Sequence, residues 1–215
     1  YMQIIQKDES TTSGWAFTNK AGKCFTEAFE LTDSEDAQQQ VIWGLIKYND
    51  NSVKLPTGVT AVTATAAKID LALSKVAALT GFTVAKNKES IEVNAAGVYA
   101  IKAEETGFTY KTATAYVGFG EPYPTLTGAE VTAKKSPTSV DKTVADDDHV
   151  VAIGDIVTYT IEAYVPFIDA ANTDNRTFTI TDEITGADYY LAGPNAVNSV
   201  TMEGTDGQVG TINVN

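Results

Sequence analysis

Apolar residues recur at helical spacing twice before residue 80 and not again in the rest of the chain. Val41, Ile42, Leu45 and Ile46 share one helical face. They follow Thr32-Asp33-Ser34-Glu35, which has the spacing of a capping box, so a helix is expected over about 34–48. Val62, Ala66, Ile69, Leu73 and Val76 define a second helix over about 60–79, stopped by Gly81. From Phe82 onward the period changes to two. Strands are expected at 82–85, 90–93, 98–103 and 112–119. Tyr1 to Gln6 reads as an opening strand, and Trp15 to Phe29 as a stretch holding a strand pair.

Gly120-Glu121-Pro122-Tyr123-Pro124 has the composition of a linker, and beyond it Val, Thr, Ile and Tyr dominate with turn signals at regular intervals. The expected fold is therefore mainly β. A mixed α/β domain occupies residues 1–125, and an immunoglobulin-like β-sandwich occupies residues 126–215. Thr211 to Asn215 reads as a strand with nothing after it, so the second domain is expected to be incomplete. The chain opens at Tyr1 rather than Met, which reads as a mature or trimmed form.

Composition narrows the function classes. The net charge is −13, with 28 acids against 15 bases, and Arg176 is the one arginine. A nucleic-acid-binding basic face and binding to anionic lipid are both disfavoured. No apolar run reaches the length needed to span a bilayer. One cysteine, Cys24, excludes an internal disulfide and reads as a small buried side chain. One histidine, His149, supports neither a multi-histidine metal site nor a catalytic triad, so an enzyme is not expected.

Strand alternation brings two charges to an apolar face. In Val140-Asp141-Lys142-Thr143-Val144, the valines flank Lys142 on one side of the strand. In Thr177 to Ile184, Asp182 shares a face with Phe178, Ile180 and Ile184. An isolated buried charge is costly, and burial favours a neutral amine and a neutral acid. A neutral amine is a nucleophile, and a neutral acid can polarise an amide carbonyl. With an asparagine side chain nearby, the lysine can expel ammonia and leave an isopeptide cross-link. On periodicity alone, the alternative is a strand end where Lys142 snorkels and Asp182 caps a turn.

The segments Val131-Thr132-Ala133-Lys134-Lys135-Ser136-Pro137, Val140-Asp141-Lys142-Thr143-Val144, Ile153-Gly154-Asp155-Ile156-Val157-Thr158-Tyr159-Thr160-Ile161, Val165-Pro166 and Phe178-Thr179-Ile180-Thr181-Asp182 occur in that order. Together they resemble the second, Cna-type domain of the backbone pilins of Gram-positive bacteria. The first half is similar to the pilin N-terminal domain, with an opening strand at Tyr1 to Ile5, two helices, and Gly97-Val98-Tyr99-Ala100-Ile101 before the exit strand. The resemblance implies a shaft subunit, extracellular and anchored to the cell wall, whose partners are a sortase and neighbouring pilin subunits. It implies Lys142 as isopeptide donor and Asp182 as the proton-shuttling acid, with no cofactor and no metal. The acceptor asparagine belongs to a late strand. Asn198, which shares a face with Val200 and Met202, and Asn213 are candidates, and a position beyond residue 215 is the third possibility. The lysine of the pilin motif aligns with Lys134, but the motif's tyrosine, proline and asparagine are absent from Val131-Thr132-Ala133-Lys134-Lys135.

That departure leaves a second reading open: an ancillary pilin or wall-anchored adhesin that binds a host extracellular protein or glycan. Leu55-Pro56-Thr57-Gly58 lacks one residue of a wall-sorting signal and has no apolar tail behind it, so it reads as a turn. Asp146-Asp147-Asp148 and the group Asp169, Asn172, Asp174 and Asn175 lack the EF-hand pattern and read as solvated turns rather than calcium loops.

Overall fold

The structure, a computed structural model, describes residues 1–86, 90–145, 150–167, 178–183 and 185–186. Its elements are, in order, β1 (Met2–Lys7), β2 (Trp15–Phe17), α1 (Ala21–Ala28), α2 (Glu35–Asn49), α3 (Ala66–Ala77), β3 (Gly97–Ile101), β4 (Phe108–Tyr110), β5 (Ala113–Val117), β6 (Lys135–Pro137), β7 (Val140–Val144) and β8 (Tyr159–Ala163). The fold is mixed α/β. Helix and strand take 21% each of the described residues, so the expected predominance of β structure is not found among them. The chain divides into two compact units, Tyr1–Ser139 with Tyr164–Thr177 and Val140–Ala163 with Phe178–Asn215.

The first unit is organised on an antiparallel sheet of order β2-β1-β3-β5. The period of two sorts β3 cleanly. Val98 and Ala100 enter the large core with Ile4, Ile5, Phe25, Val41, Ile42, Leu45 and Val76. Tyr99 points the other way, into a smaller cluster with Ala115 and Val117. The three helices fill the large-core side: α1 packs on α2 and α3, α2 on β2, and α3 on β3. Gly97, at φ 149°, sits where a Cβ would lie 2.1 Å from the Ile5 carbonyl oxygen. The β1–β3 ladder shifts register between Gln3 and Ile5, and the absence of a side chain at Gly97 lets the two backbones close beside that irregularity.

Both expected helices form, α2 with its expected bounds and α3 with a later start. The Ala37 N–H donates to Ser34 Oγ at 3.1 Å and caps α2. The Lys68 N–H donates to Thr65 Oγ1 at 3.3 Å and caps α3, so that helix starts at Ala66 rather than near residue 60. The residues in between are not helical, and the Val62 N–H donates to the Gln40 carbonyl at 3.1 Å. The strand pair expected in Trp15 to Phe29 is one strand followed by α1, whose Ala21, Cys24, Phe25 and Ala28 are buried. The segments expected as strands at 82–85 and 90–93 are not strands among the described residues. Beyond Ala77 the described residues hold no helix.

The described part of the second unit is the β7–β8 hairpin with residues 145 and 150–158 between its strands, and residues 178–183 and 185–186. The short β6 belongs to the first unit, where it pairs with β4.

Candidate functional site

The antiparallel register of β7 and β8 pairs Val140 with Ala163, Lys142 with Ile161 and Val144 with Tyr159. Residues directly opposite share a face, so Lys142 lies among Val140, Val144, Tyr159, Ile161 and Ala163. The reverse face carries Asp141, Thr143, Thr160 and Glu162, all exposed. The lysine is thus on the apolar side of the hairpin, as the alternation predicts. Val144, Ile161 and Ala163 on that side are half-buried.

Asp182 meets it there. Lys142 Nζ donates to Asp182 Oδ1 at 2.7 Å, the length of a charge-assisted hydrogen bond. The same ammonium stands 4.5 Å from the centroid of the Tyr159 ring. The lysine side chain keeps 34% of its surface exposed and the aspartate 25%. The pair is therefore partly shielded rather than sealed in a core, and Phe178 and Ile180 beside it are exposed. Asp182 lies in a segment with no strand assigned among the described residues, so it does not reach the lysine from a facing strand. Alternation along one strand reports a side chain's face, and what covers that face is set by the rest of the fold. Tyr159 is the residue that the sequence reading left out of the site. Its place opposite Val144, on the Lys142 side, follows once the register is known.

Lys134 belongs to the first unit, immediately before β6. Its carbonyl accepts the Lys111 N–H at 3.0 Å, which fixes its backbone. Its side chain is exposed, as a modification site requires. Asn198 and Asn213 lie outside the described residues, as do His149, the Asp146–Asp148 run and Asp169, Asn172, Asp174 and Asn175. Cys24 is buried in α1, and burial pushes its thiol above the ordinary value.

An open cleft of about 730 Å³ lies along the start of β1, lined by Tyr1, Gln3, Asn19, Glu92, Asn94 and Tyr99 among others. Among the described residues, Glu92 is the one carboxylate in that lining. Among the described residues, no group of three His, Cys, Asp or Glu is placed to hold a metal ion. No helix among them is long and apolar enough to cross a membrane. Comparison with protein-family models, with curated proteins and with solved structures gives no match.

Proposed function

We propose that the chain is a structural subunit of a cell-surface pilus or fimbria, extracellular and wall-anchored, joined to its neighbours by a sortase through Lys134. In this reading residues of the second half build an immunoglobulin-like, Cna-type sandwich stabilised by a Lys–Asn isopeptide. Asp182 takes a proton from the ammonium it is paired with, and the neutral Lys142 Nζ attacks the side-chain carbonyl carbon of an asparagine. One C–N bond forms and another breaks, and Asp182 carries the amine proton to the departing ammonia. The reaction consumes no cofactor.

The observation that carries the proposal is the Lys142–Asp182 contact at 2.7 Å on the apolar side of β7–β8. It sets a carboxyl against the one amine that alternation places there. The neighbouring Tyr159 ring helps to hold that amine in place.

Intact mass and tandem mass spectrometry of the protein, including any longer natural form of it, test the chemistry. The expected result is loss of one ammonia and a peptide joining Lys142 to an asparagine, with Asp182→Ala retaining the ammonia. A folded protein of unreduced mass in every natural form would overturn the cross-link. Incubation with the sortase of its source organism tests assembly, and Lys134→Ala should abolish the ladder of linked subunits.

A further inference from the structure

Two adjacent lysines sit at β6, and the first unit treats them differently. Lys135 is opposite Tyr110 in the β4–β6 ladder. Its Nζ lies 3.3 Å from Glu105 Oε2 and 4.0 Å from the centroid of the Phe108 ring, with the Tyr110 ring at 6.0 Å. The Tyr110 hydroxyl donates to the same Glu105 carboxylate. Glu105 is itself positioned by a tight turn, in which the Phe108 N–H donates to the Glu105 carbonyl at 3.2 Å. One carboxylate, one phenol and one aromatic face thus converge on a single ammonium.

The electrostatics follow the geometry. The Tyr110 hydroxyl, and after it Lys135, hold the Glu105 carboxyl below its ordinary value. Glu105 in turn holds the Lys135 ammonium above its ordinary value. Lys134 has no such partner: its side chain is exposed and joins no hydrogen bond or ion pair among the described residues. Its backbone is nevertheless fixed to Lys111.

We propose that Glu105, Phe108 and Tyr110 form a clamp that decides which of the two lysines is nucleophilic, retaining Lys135 as an ammonium and leaving Lys134 free to attack an acyl donor. The clamp gives the proposed sortase linkage its site selectivity, and to that extent rests on that reading. In the step itself, neutral Lys134 Nζ attacks the carbonyl carbon of a thioester acyl donor. A C–N bond forms, the C–S bond breaks, and the amine proton leaves with the thiol. An ammonium has no lone pair for this attack. Both lysines face solvent, so without the clamp their reactivities would be similar.

Competition labelling with an N-hydroxysuccinimide acetate ester, read by peptide mapping, tests the clamp without any enzyme. In the natural chain Lys134 should acetylate about threefold faster than Lys135 or more, the scale of a surface pair joined by a cation–π contact. Glu105→Gln should narrow that ratio, and Glu105→Gln with Phe108→Ala should bring it close to one. Equal rates in the natural chain, or a ratio unmoved by both variants, would overturn the clamp. With sortase present, linkage should map to Lys134 in the natural chain and spread to Lys135 in the double variant. A labelling ratio that behaves as expected in a chain that no sortase links would uphold the clamp and count against the pilus reading instead.

Discussion

At the scale of single residues, Lys142 and Asp182 test how an ion pair is weighted by its surroundings. Each keeps a quarter to a third of its side-chain surface in water, so the pair is screened. In a chain without the cross-link, Asp182→Ala should lower unfolding stability by about 1 kcal/mol or less in denaturant titration. In a cross-linked chain the same substitution, by preventing the bond, should cost several times more, because a covalent tie restricts the unfolded state. Tyr116 gives a prediction at alkaline pH. Its ring packs on the large core beside Phe119, with centroids 5.8 Å apart, and burial raises its phenol above the ordinary 10.0 against a weaker opposing hydrogen bond with Thr114. The unfolded chain ionises at the ordinary value and the folded chain later. The tyrosine's contribution is therefore complete below pH 10.0 and is lost as pH rises through the folded pKa. Tyr116→Phe should flatten the loss of stability above that pH, measured by denaturant midpoints across the range. The side of the strand that holds Lys142 was legible in the sequence, because a period of two needs no tertiary information. The approach of Asp182 from an irregular segment was not, because no local pattern encodes which distant segment covers a face.

At the scale of elements, α1 and α2 mark the two ends of legibility. Helix α2 announces itself through Ser34 and the spacing of Val41, Ile42, Leu45 and Ile46, and each of these is capped or buried as expected. Helix α1 has eight residues, no side-chain cap at Lys20, and the weak helix formers Gly22, Phe25 and Thr26. Burial of Ala21, Cys24, Phe25 and Ala28 holds it in place, and that i, i+3, i+4, i+7 pattern was the available signal. The late start of α3 has a similar cause. Val59, Thr60, Val62 and Thr63 are β-branched and disfavour the helix, and the Val62–Gln40 hydrogen bond secures the non-helical path. That path also explains Gly44 in the middle of α2. A Cβ there would lie 2.6 Å from both the Val62 carbonyl oxygen and Val62 Cγ2. Gly44→Ala should therefore destabilise the protein by about 1–3 kcal/mol, despite the ~1 kcal/mol that alanine gains over glycine in a helix interior. Thermal unfolding decides this one, and an unchanged or raised midpoint would mean that the segment carrying Val62 yields at little cost.

At the scale of the whole molecule, the fully buried side chains among the described residues all belong to the first unit, while the β7–β8 hairpin is exposed on one face and half-buried at three positions of the other. The described strands of the second unit lack the fully buried side chains that hold the ladders of the first, so the two units should open at different free energies. Hydrogen exchange followed by mass spectrometry should find the amides of Gly97–Ile101 and of the Val41–Ile46 stretch protected longest, and those of Val140–Val144 exchanging earliest. Uniform protection would indicate one cooperative body. The order of strands in the first unit carries a mechanical consequence. β1 and β5 flank β3 and are each antiparallel to it, so they run in the same direction. The register aligns Met2 with Ala100 and Thr114 at one edge of the sheet, and Gln6 with Gly97 and Val117 at the other. Tension applied between the start of β1 and the end of β5 therefore enters and leaves at opposite edges. It loads both ladders in shear, so that their hydrogen bonds must yield together instead of peeling apart one after another.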